Sequence, residues 1–137
     1  MDQDEIKFQI KHIDILEFSF RDPRRSLPEN SPFRFDIQIK HHVNLEDENI
    51  LVKSQYNIYY DNDEDPLGKA VISCVYHVEN IQQFVNESGK FILPEHIITM
   101  FNSISISTCR GVLFTLFRGT PLHSVILPIV NPHQVSN

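Results

Sequence analysis

LPEHIITMFNSISISTCRGVLFTLFRGT, residues 93–120, decides how this chain folds. Pro94 suits the first turn of a helix, where the N–H it lacks would go unbonded anyway. Glu95 beside it complements the positive end of the helix dipole. Ile97, Phe101, Ile104, Thr108, Val112 and Leu116 recur at three and four residues, which makes one continuous helical stripe. Ile98, Met100, Ile106, Cys109, Leu113 and Phe117 widen it, so a helix here is apolar around most of its circumference. Gly119 and Pro121 then stop it. The strand reading keeps some support, because Ile104-Ser105-Ile106-Ser107 alternates and Gly111 costs about 1 kcal/mol in a helix interior relative to Ala. The pattern favours the helix. Rich in Ser, Thr and β-branched residues, it has poor intrinsic propensity and must be held by packing on several sides. The chain offers only one sheet, so a second subunit is the natural supplier of the missing layer.

That sheet is read from four stretches with period-two alternation. Between Ile6 and Phe20, Ile6, Phe8 and Ile10 share a face; the pattern shifts near Ile13 and resumes with Leu16, Phe18 and Phe20. Phe33, Phe35, Ile37 and Ile39 are in step along the second stretch, Val52, Tyr56, Ile58 and Tyr60 along the third, and Ile72, Cys74, Tyr76 and Val78 along the fourth. Turn formers at 44–49 and 61–68 tie strands two to three and three to four into hairpins. Residues 22–32 carry three prolines and are too long for a tight hairpin, so they read as a crossover past a neighbouring strand.

At 137 residues the chain fits one domain, 1–137, large enough for a core without a metal or disulfide staple. A formal charge of −6 argues against nucleic acid and anionic membrane surfaces. Cys74 and Cys109 form no C-x-x-C pair and read as buried reduced thiols. The acidic start, Met1-Asp2-Gln3-Asp4-Glu5, is unlike a signal peptide, and no run approaches about 18 consecutive apolar residues. A soluble cytoplasmic protein with no membrane insertion is expected.

No chemistry-bearing constellation emerges. Residues 61–65 carry the acids of a calcium loop, but Ile72 stands where its bidentate Glu is needed, so a solvated hairpin tip is the better account. His41 and His42 point to opposite faces of a strand and cannot share a metal. Cys109 beside Arg110 lacks a histidine partner, and Ser103, Ser105 and Ser107 lack a nucleophile-elbow context; the serines read as letting helices approach or as bonding back to carbonyls. Arg110 and Arg118 lie about 80° apart on a helix, one of them placed to pair with an acid across an oligomer interface or both simply solvated. The expectation is a non-enzyme without metal or cofactor.

Phe8-Gln9-Ile10 with Ile13, Phe18-Ser19-Phe20 and Pro23, together with Arg118-Gly119-Thr120 and Leu127-Pro128-Ile129-Val130-Asn131-Pro132, resembles the protein-export chaperone SecB and the wider SecB-like family. The resemblance implies an α+β fold: a four-stranded antiparallel sheet with a crossover after strand 1 and one long helix packed on one face. It implies that two chains join their sheets and that two such pairs sandwich their helices, a homotetramer built as a dimer of dimers. Phe101, Ile104, Thr108, Val112 and Leu116 would then lie at the oligomer interface. It also implies an activity, holding unfolded or precursor polypeptides without ATP and passing them to the export motor SecA. Such an activity needs an apolar groove that takes extended chain through many weak contacts. By carry-over that groove involves Leu27, Phe33, Phe35, Ile37 and Ile39, with ordinary core as the alternative for the last two.

The sequence departs from the family in its acidic motor-docking surface. Glu17 matches the first acidic position, but Arg21 falls where a second acid would be and Cys74 near a third. The chain also stops at Asn137 without the second helix that lids the groove. A SecB-like chaperone dedicated to one partner, such as an antitoxin or a single client, is therefore a second expectation. An adaptor that grips one folded partner is a third, and a small-molecule carrier using the sheet–helix cleft a distant fourth.

Overall fold

Four antiparallel strands form one sheet in the order β1-β4-β3-β2, and one long helix lies across a face of it. The strands are β1 (Phe8–Phe20), β2 (Phe33–Asn44), β3 (Asn49–Tyr60) and β4 (Gly68–Val78), and the helix α1 runs over Glu95–Leu116. This computed structural model describes residues 6–22, 32–120, 122 and 125–129. The block at 93–120 is thus a helix, beginning beside Pro94 as its sequence predicts and unwinding at Phe117, with Gly119 at φ 80.

The strand order explains the long link. β1 lies at one edge and β2 at the other, with β4 and β3 between them. The two short links close as expected. Asn44 accepts from the Asp47 amide at 3.1 Å and donates to its carboxylate at 2.9 Å, fixing the β2–β3 turn. The β3–β4 tip is held from both edges of the sheet. Arg21 donates to the Asp65 carbonyl and Arg34 to the Asp63 carbonyl, both at 3.3 Å. Backbone bonds from Arg21 to Leu67 at 2.7 Å and from Asp61 to Pro32 at 2.8 Å reinforce them.

The helix-facing side of the sheet is a stack of apolar side chains. Ala70, Ile72, Cys74, Tyr76 and Val78 of β4 and Ile50, Val52, Tyr56 and Ile58 of β3 are all buried beneath α1. Tyr76 stacks on Phe101 at 4.7 Å, and Phe8 meets Phe101 edge-on at 4.9 Å. The Tyr76 hydroxyl bonds Ser105 at 2.8 Å, and burial pushes its pKa up to about 12. Ser105 is therefore a core partner, while Ser103 and Ser107 are exposed. Gly68 is needed where the helix end closes on the sheet, since a Cβ there would come within 2.6 Å of Leu122.

β1 departs from simple alternation. Its register against β4 shifts between Ile10 and His12 and again between Ile15 and Glu17, the signature of two bulges. Directly paired residues share a face, so Ile13 beside Cys74 and Ile15 beside Ile72 join Phe8, Ile10 and Phe18 on the helix side. Leu16, expected on that side, sits at the second bulge and is exposed.

Cys74 and Cys109 are buried free thiols, as their sequence setting suggests. The Cys109 pKa is raised, first by its hydrogen bond with Cys74 and then by burial. Cys74 points toward the helix, so it cannot belong to an outer docking face. A 3₁₀ turn at Ile81–Phe84 and a bridge between Val85 and Phe91 precede α1 and have no counterpart in the sequence reading. By length and hydropathy α1 matches a membrane span, but Ile97, Phe101, Ile106, Cys109 and Leu113 are buried against the sheet, as in a core helix.

Candidate functional site

A helix laid on a sheet has two flanks, and α1 uses them differently. Asn102 bonds His41 of β2 at 2.7 Å, which fixes the side turned toward that strand. Arg110 follows eight residues later, about 80° around the helix axis. Thr108 and Val112 lie on the opposite flank, toward Ile15 of β1.

The β1 flank is open. Ile15, Thr108, Gly111, Val112, Thr115 and Leu116 line an apolar cleft of about 420 Å³. Along the same strand Ile13, Ile15, Leu16 and Phe20 are 46%, 49%, 54% and 47% exposed. Large apolar side chains exposed along an edge strand are the kind of surface that another chain can cover.

The β2 flank is occupied. Residues 125–129 lie alongside the helix, where Arg110 donates from Nε to the Leu127 carbonyl at 2.9 Å and from Nη2 to the Pro128 carbonyl at 3.1 Å. Val125 and Leu127 are buried, while Ile126 and Ile129 are 60% and 94% exposed. Leu122, Val125 and Leu127 join the main apolar cluster, against which Phe33, Phe35 and Ile37 of β2 pack.

The residues singled out in the sequence fall into several places. Ile39 is fully buried core, whereas Phe33, Phe35 and Ile37 are half-buried along β2. Phe33 begins β2, paired with Tyr60. Leu27 lies outside the described residues. Phe101 is fully buried within its own chain between Phe8 and Tyr76, so it leaves no surface for another subunit. Ile104, Thr108, Val112 and Leu116 are half-buried, and the last three line the open flank. Glu17 is exposed on the outer sheet face, paired with Lys69 at 3.3 Å. Arg110 grips backbone carbonyls rather than an acid.

Sequence reasoning missed Ile15 and the arginine-held tail. Ile13 and Ile15 carried a signal, an apolar pair of opposite parity to its neighbours. The tail carried one too, in the run Val125-Ile126-Leu127-Pro128-Ile129. Among the described residues no group of three or more His, Cys, Asp or Glu could hold a metal ion. Both flanks are lined by aliphatic, aromatic and hydroxyl side chains, suited to holding apolar polypeptide.

In fold, the chain is similar to the SecB-like chaperone Rv1957 of Mycobacterium tuberculosis, solved in complex with a ChAD peptide from the HigA1 antitoxin Rv1956. The TM-score is 0.62 at 12% identity, over 90% of this chain and 89% of that one. A protein of unknown function from Streptococcus agalactiae aligns at a TM-score of 0.37 and 8% identity over 82% of this chain and 89% of that one, a likeness too slight to argue from. No family model and no curated protein matches the sequence. The class is thus defined by architecture: this is an α+β chain with the SecB-like fold.

Proposed function

We propose that residues 1–137 form one SecB-like chaperone domain that holds extended, unfolded polypeptide without ATP, in the cytoplasm, and is not an enzyme. The observation that carries this reading is the pair of apolar flanks on α1 within a fold similar to that of a peptide-binding SecB-like chaperone. An unfolded chain offers alternating apolar side chains and unpaired backbone groups, and a surface built from aliphatic rows takes many such sequences weakly. Binding the unfolded form alone shifts a client's equilibrium toward it. The half-buried residues Phe33, Phe35 and Ile37 are the client-contacting candidates that retain exposure.

The open β1 flank supports self-association. Ile13 and Ile15 with Ile104, Thr108, Val112 and Leu116 form a surface for a second copy, and a dimer of dimers would bury the exposed side of the helix. A client-dedicated chaperone, without handover to SecA, is favoured over general export by the outer sheet face. Glu17 there is engaged by Lys69, and Lys40 stands directly opposite Lys53, which gives the face little acidic character.

The test is aggregation of a chemically denatured protein followed by light scattering. Suppression near one oligomer per client is expected, and unchanged aggregation at several-fold excess would sink the chaperone reading. Retention of a single folded protein, with no retention of unfolded chains, would favour the adaptor instead.

A further inference from the structure

The side of α1 that carries Asn102 and Arg110 already holds a segment of the chain's own apolar tail, residues 125–129. Gly68 marks the end of the sheet where Leu122 inserts, and Phe35 stands in the same row through Ile58. His41, bonded to Asn102, marks the other end of α1's run along β2. Arg110 lies between these levels, so residues 125–129 run back beside the apolar row of β2. Val125 and Leu127 point inward, Ile126 and Ile129 outward, and the tail's backbone carbonyls are met by a guanidinium. An unfolded client would offer the same features: aliphatic side chains to bury, as Val125 and Leu127 are, and carbonyls that need donors.

We infer that residues 125–129 are a built-in competitor for client, occupying the β2 flank until an extended apolar segment of another polypeptide displaces them. Arg110 is the shared clamp, because a guanidinium that reads backbone carbonyls is indifferent to sequence and serves tail and client alike. This inference rests on the chaperone reading above and adds regulation to it. Apparent affinity falls by the fraction of time the flank is free, so a tail closed about nine-tenths of the time weakens client binding about tenfold. Such a device keeps an apolar groove covered when no client is present, which lowers the hazard of self-association there.

The experiment uses the full chain and a fluorescently labelled, permanently unfolded polypeptide, a small protein with reduced and carboxymethylated cysteines. Leu127→Asp places a charge where the tail is buried and so lifts it, while Ile126→Asp changes an exposed neighbour and serves as the control. The expected result is an affinity gain of about tenfold for Leu127→Asp and none for Ile126→Asp. Equal or weaker binding by folded Leu127→Asp overturns the inference while leaving the chaperone reading intact. If that variant fails to fold, hydrogen exchange on the unmodified chain decides. Faster exchange at Val125 and Leu127 on saturation with the probe supports displacement, and unchanged exchange overturns it. Failure of every form to bind the unfolded probe overturns the chaperone reading and this inference together.

Discussion

The two flanks of α1 are built from similar residues yet end in opposite states. Beside β1 the apolar row remains about half-exposed, with Ile15 and Val112 lining an open cleft. On the side of β2 the row Phe33, Phe35 and Ile37 is half-buried, and the chain's own tail is fastened to that side of the helix by Arg110. Burial of aliphatic surface is non-directional and would favour covering both. What differs is reach. The segment leaving α1 turns at Gly119 and seats Leu122 against Gly68, which delivers it to one side of the helix. The tail does not reach the other side. On the proposals above, one flank serves assembly and the other exchange.

That contrast can be broken at its common base or one side at a time. Phe101 fastens the helix to the sheet through Phe8 and Tyr76, and Phe101→Ala should cost about 3–5 kcal/mol of unfolding free energy in a urea titration. A loss under about 1 kcal/mol would mean that the ring is not core. Val112→Asp addresses the open side alone. The protomer should stay folded because Val112 is only half-buried, but self-association should weaken thirtyfold or more, about 2 kcal/mol. An unchanged size-exclusion profile would count against assembly through β1. Arg110→Ala addresses the covered side, removing two bonds to the tail at about 1 kcal/mol in sum and speeding proteolysis of residues 125–129. Glu17→Gln touches neither flank. It removes a surface pair and should change stability by under about 1 kcal/mol, and client binding should stay as it was.

Much of this was legible in the primary structure because the determining forces are local. β2 and β3 alternate, β4 does so with Val71 and Val75 on its second face, their turns carry Asn44 and the acidic run at 61–65, and Pro94 with Glu95 announces α1. The middle of β1 was not legible because two bulges each move the pattern by one residue, so Ile13 and Ile15 read as off-face until their partners in β4 are known. Depth along β2 was equally hidden. Ile37 and Ile39 share one alternation, and only the position of the helix makes Ile39 core and leaves Ile37 at the rim. Phe101 and Val112 fit one helical stripe, yet the sheet takes the first and leaves the second to the cleft. Arg110 could not have been assigned from sequence, because its partners are carbonyls, which every residue possesses.

The grip of Arg21 and Arg34 on the β3–β4 tip has a mechanical consequence. These arginines border the long crossover at its start and its finish, on strands at opposite margins of the sheet, yet both fasten to main-chain oxygens of one small acidic knuckle. The knuckle works like a buckle through which two ends of a strap are threaded. Lengthening or shortening it would be felt at both margins at once, so insertions there should be tolerated far less well than its polar composition suggests.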